Sequence, residues 1–65
     1  MKIKNEYYGK KVNILCTDEE KISGKVEMIE TPEESASGEY EIGIGYANGI
    51  TMIPENEIES IMIIE

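Results

Sequence analysis

Residues 21–30 alternate Ile22, Gly24, Val26 and Met28 with Ser23, Lys25 and Glu27, and a period of two recurs along most of the chain. That period sends successive side chains to opposite faces of an extended strand. No stretch of useful length repeats apolar residues at i, i+3, i+4 and i+7, so the chain reads as all-β. Residues 11–16 put Val12, Ile14 and Cys16 on one face, and Asp18-Glu19-Glu20 form a polar turn. Residues 39–47 put Tyr40, Ile42, Ile44 and Tyr46 on one face and Gly43 and Gly45 on the other. Gly24 interrupts the buried face of its strand, where a glycine permits a sharp bend or a close backbone approach.

The connections follow from turn chemistry. Residues 31–38, Thr-Pro-Glu-Glu-Ser-Ala-Ser-Gly, make the longest and most mobile loop. Asn48-Gly49 predicts a two-residue type I′ hairpin, because that turn needs positive φ at both central residues. The predicted register pairs Ala47 with Ile50, Tyr46 with Thr51, Gly45 with Met52 and Ile44 with Ile53. One face then holds Ile42, Ile44, Tyr46, Thr51 and Ile53, and the other Gly43, Gly45, Ala47, Ile50 and Met52. Pro54 cannot continue a ladder, so residues 54–57 are expected to make one tight helical turn. The last strand, 58–65, contains Ile61-Met62-Ile63-Ile64, a run expected of a strand buried on both sides.

A chain of 65 residues is one domain, 1–65, with a small core. Such a domain buries only roughly 60 % of the surface its unfolded chain exposes, so it depends on disulfides, metal or association. Cys16 is alone and there is no His, which leaves no intramolecular disulfide and no usual zinc constellation, and no cofactor is expected. Association remains. Ile14, Val26, Ile42, Ile44 and Ile53 are the expected core. Ile50, Met52, Ile61, Met62, Ile63 and Ile64 exceed what it needs. They either lie under residues 1–8, whose apolar part is Ile3, Tyr7 and Tyr8, or form a subunit or partner interface.

Charge is unevenly distributed. Residues 1–25 hold all six lysines and four carboxylates, whereas residues 26–65 hold ten carboxylates and no base, for a net −8. A nucleic-acid surface needs cations to displace condensed counterions, and the second half opposes this. Lys2, Lys4, Lys10, Lys11, Lys21 and Lys25 favour RNA if they cluster on one folded face, and protein interaction if they scatter. No charged-then-apolar leader and no apolar run of about 18 residues is present, so neither a signal peptide nor a membrane helix is expected and the location is taken as cytoplasmic.

The run from Gly9-Lys10-Lys11-Val12 through Asp18 and Ile22-Ser23-Gly24-Lys25-Val26 to Ile29-Glu30 resembles the first motif of the Sm and Sm-like proteins. Residues 53–61, Ile-Pro-Glu-Asn-Glu-Ile-Glu-Ser-Ile, resemble the second in spacing. Together they cover about half the chain, and other SH3-like barrels share part of the pattern. The resemblance implies a five-stranded, strongly bent antiparallel barrel and a ring in which one subunit's fourth strand pairs with its neighbour's fifth. Where RNA-binding members carry an apolar-Asp pair and a loop Asn, this chain has Ile29-Glu30 and then Thr31-Pro32; where they carry Arg-Gly, it has Pro54-Glu55.

The expected function is thus a non-enzymatic Sm-like module acting as a homo-oligomer or with a protein partner. The alternative is an Sm-like RNA-binding protein using Lys10, Lys11, Lys25, Glu30 and Asn56. Asp18-Glu19-Glu20 and Glu33-Glu34 read as solvated polar turns, not cation sites, since neither has EF-hand spacing. Cys16 reads as a buried thiol without a base to activate it. Gly43-Ile44-Gly45 lies in a strand with no helix after it, so it is not a phosphate loop.

Overall fold

The computed structural model describes residues 3–64. Lys2 and Glu65, both used in the sequence reading, lie outside them. A 3₁₀ turn, η1 (Asn5–Tyr7), precedes β1 (Lys11–Cys16), β2 (Lys21–Glu30), β3 (Glu41–Tyr46) and β4 (Gly49–Pro54). A second 3₁₀ turn, η2 (Glu55–Glu57), leads into β5 (Ile58–Ile63). It covers 55–57 of the turn expected over 54–57, whereas Pro54 stays in β4 opposite Glu41, which an edge strand tolerates because no N–H is needed on its outer side. All pairings are antiparallel and the order is β4-β3-β2-β1-β5. The sheet is not closed into a barrel by hydrogen bonds, so β4 and β5 are its two edges.

Ile14, Val26, Ile42, Ile44 and Ile53 are buried, together with Val12, Cys16, Ile58, Ile3 and Tyr7. Ile53 of one edge and Ile58 of the other belong to this single cluster. The N-terminal segment covers part of it. Its Ile3 N–H donates to Glu55 Oε2 at 3.0 Å, and Gly9 N–H donates to the Val26 carbonyl at 2.9 Å, which ties the segment to η2 and to β2. Tyr8, expected in the same cover, is exposed.

Three expectations need correction. The hairpin pairs Tyr46 with Gly49, Gly45 with Ile50, Gly43 with Met52 and Ile44 with Thr51, so Ile53 faces Ile42 and not Ile44. Its loop residues are Ala47 and Asn48, neither with positive φ, and the turn is not type I′. The slip spans two residues and leaves both faces unchanged. It sets Met52 and Ile50 over Gly43, where a Cβ would lie 2.8 Å from Met52 Sδ and 2.9 Å from Ile50 Cγ2. Gly49 still has φ +151° with nothing near its Cβ position. Gly49→Val is accordingly expected to cost about 1–3 kcal/mol through backbone strain alone, read as a lowered thermal midpoint.

The second correction is in β2. A bulge between Val26 and Met28 places Glu27 as the extra residue, turning Met28 outward opposite Gly43 and Ile29 inward opposite Ile42. Met28, predicted on the buried face, is exposed, while Ile29 packs against the core. The third is β5, which is not buried on both sides. Ile61 opposite Ile14 is half-buried against the core, but Met62 on the outer face is exposed, as are Ile63 at the end of this edge strand, although it follows the core-facing row opposite Val12, and Ile64 just beyond it. The 31–40 connection is organised internally: Thr31 N–H and Oγ1 donate to Glu34 Oε1, and Ser35 Oγ donates to the Glu39 carbonyl at 2.6 Å.

Candidate interaction surface

Exposed apolar side chains collect on both edge strands. On β4, Ile50 is 48 % exposed and Met52 half-buried, both on the outer face. On β5, Met62 is 65 % exposed on the outer face opposite Asn13, while Ile61 and Ile63 follow the core-facing row opposite Ile14 and Val12. Ile64 lies just beyond the strand, its N–H donating to the Lys11 carbonyl at 2.9 Å. The six expected interface residues are therefore divided between the two ends of the sheet. Met28 adds to the β4 side, since its Cβ and the ends of Met52 and Ile50 converge over Gly43. Alternation alone hid Met28; only the bulge at Glu27 exposes it.

Carboxylates gather elsewhere. Asn56 N–H donates to Glu39 Oε1 at 2.8 Å and Glu55 N–H to the Tyr40 carbonyl at 2.9 Å, which holds the 31–40 loop against η2. Glu30, Glu33, Glu34, Glu39, Glu55 and Glu57 all lie on these two joined segments or where β2 enters them. Glu30 and Asn56, both expected at an RNA contact, belong to this acidic end. The other three residues of that set do not. Lys11 faces Lys25 directly across β1 and β2, five residues along β2 from Glu30, and Lys10 immediately precedes β1. Lys21 shares the outer face with Lys11 and Lys25, since it pairs with Leu15 in the same alternation. Lys4 stands apart, ahead of η1.

Cys16 is buried at the end of β1, where its N–H donates to the Glu20 carbonyl at 2.8 Å. Burial pushes its thiol above the ordinary value, and the nearby Asp18, Glu20 and Glu57 carboxylates push the same way. A raised thiol pKa leaves less thiolate at a given pH. Alkylation by iodoacetamide at pH 8 is therefore expected to run at least about tenfold slower than in the urea-unfolded chain. Equal rates would refute the burial. Among the described residues no group of three or more His, Cys, Asp or Glu is placed to hold a metal ion. No described helix is long and apolar enough to cross a membrane.

Comparison with protein-family models, curated proteins and solved structures finds no match.

Proposed function

We propose that this chain is a non-enzymatic, Sm-like small-barrel module of the cytoplasm that acts by associating with itself or with a protein partner. The observation that carries this reading is the pair of free sheet edges, each bearing exposed apolar side chains. Natural edge strands are commonly blunted by lysines or inward charges. Neither Gly49–Pro54 nor Ile58–Ile63 contains a lysine. The barrel reading is supported by Ile53 and Ile58, which bring both edges to one core although the edges share no ladder. Pairing β4 of one copy with β5 of the next is a head-to-tail contact, which closes into a ring when the rotation per copy permits. The absence of His and the burial of the lone thiol support a non-enzymatic role.

Light scattering at tens of micromolar is expected to give a mass several times the 7.3 kDa of one chain. Ile50→Asp with Met62→Asp is expected to reduce it to a monomer with an unchanged fold. A strictly monomeric wild type would sink the self-association reading. RNA binding is the second reading, favoured by the shared face of Lys11, Lys21 and Lys25. The carboxylates around Glu30 and Asn56 oppose it. Short uridine-rich and adenine-rich oligonucleotides are expected to show no useful affinity near physiological salt by fluorescence anisotropy. Submicromolar binding that weakens steeply with salt would overturn the protein-interaction reading.

A further inference from the structure

The outer face of β2, β1 and β5 carries a depression of about 390 Å³ that begins at Met62 of the β5 edge and extends across β1 to Lys21 and Ser23 of β2. Its rows follow from the register. Ser23, Asn13 and Met62 lie abreast, and next to them Lys21, Leu15 and Ser60. The row on the other side holds Lys25 and Lys11. Ser23 Oγ donates to Asn13 Oδ1, which fixes the two polar side chains of the middle row to each other. The half-buried Leu15 and the exposed Met62 give the floor an apolar part.

We infer that this depression binds an extended acidic peptide with carboxylates at positions i and i+4 and an apolar side chain at i+2. Lys21 and Lys25 are four residues apart on one strand, a separation of about 13 Å at the usual rise per residue. An extended ligand has the same rise, so its i, i+2 and i+4 side chains point to one side with matching spacing. One outer carboxylate is placed at Lys21 in the lining and the other at Lys25, one row beyond it, while the middle side chain lies over the row of Ser23, Asn13 and Met62, with Leu15 in the row beside it. Three lysines on one face of a chain with net charge −8 suit a ligand of few charges better than a polyanion. A bound nucleic acid would need several phosphate contacts and bases to stack on, and the lining has no aromatic side chain. Glu27, whose side chain lies over Gly45 beside Lys25, sets a carboxylate beyond that end and limits the length of the anion accepted. The depression shares Met62 of the β5 edge with the proposed self-association surface, whereas Lys21 and Ser23 lie on β2, away from both edges, so variants at these two positions test the inference separately from assembly.

The test is fluorescence anisotropy of the full chain with a labelled peptide of sequence Gly-Glu-Ser-Leu-Ser-Glu-Gly. Its Leu→Ser counterpart and a uridine decamer are the comparison probes. The Leu peptide is expected to bind at least about fivefold more tightly than the Ser peptide, the range of one half-buried aliphatic side chain. Lys21→Glu and Ser23→Asp are each expected to weaken it about tenfold, and Lys4→Glu by less than about twofold. Mass and thermal midpoint of each variant are measured alongside, so that a change in assembly or folding is seen separately. Absence of binding at millimolar peptide overturns the inference, as does equal affinity for the Ser peptide. Tighter binding of the uridine decamer that is lost in the same two variants would assign the face to nucleic acid instead.

Discussion

Gly24→Ala is expected to be among the most damaging single substitutions in this chain. A Cβ at position 24 would sit 2.6 Å from Ile44 Cγ2, a fully buried core atom, and φ there is +159°. The methyl must push β2 away from β3 or force Ile44 off its rotamer, and overpacking of this kind costs about 1–3 kcal/mol. Backbone strain adds about 1 kcal/mol or more. A domain of this length has a total stability of only about 3–10 kcal/mol, so the loss is a large fraction of the whole. The thermal midpoint should fall by roughly 10–25 °C. Leucine carries no branch at Cβ, so adding Ile44→Leu removes the methyl that clashes and should recover part of the loss as a favourable coupling. An unchanged midpoint in the single variant would show that β2 does not approach Ile44 as described.

The second large effect is expected at the N-terminus. Ile3 is 1 % exposed and shares the core with Ile42, Ile53 and Ile58. Ile3→Ala deletes three buried carbons from a cluster that only partly relaxes, a change worth about 2–4 kcal/mol. Tyr8→Ala, 63 % exposed, should stay within about 0.5 kcal/mol. Urea unfolding of the two variants separates them. Equal midpoints would mean that residues 3–8 lie on the surface without covering the core.

Much of this architecture was legible before folding. The alternation in residues 11–16 and 39–47 put Ile14, Ile42 and Ile44 on the inward faces expected to form the core, and all three are buried, whereas Tyr46 on the same face of the second stretch is exposed. The proline foretold a tight turn over 54–57, and the 3₁₀ turn at 55–57 is there, starting one residue late because Pro54 still pairs with Glu41. Of the proposed surfaces, the surplus of apolar side chains that includes Ile50 and Met62 was legible, because a small core has a fixed capacity, but whether residues 1–8 cover them was not, and both are exposed. The lysine face was not, because it needs the β1–β2 register to bring Lys11 opposite Lys25 and leave Lys21 on the same side.

What the sequence determined by itself is therefore the class of structure and the face of most strand residues, because strand periodicity is a local property of φ and ψ. Register, bulge and edge identity belong to the tertiary structure. A slip of two residues in the β3–β4 hairpin leaves every side chain on its original face, so patterning cannot distinguish the two registers. The packing of Met52 and Ile50 over Gly43 accompanies the observed one. At Glu27 the bulge reverses the alternation and turns Met28 to solvent, which follows from how β2 pairs with β3 and not from its own sequence. In the same way Ile61-Met62-Ile63-Ile64 reads as a doubly buried strand, yet β5 pairs only with β1 and becomes an edge. Burial of a strand's second face is a property of its neighbours, and the neighbours exist only once the chain has folded.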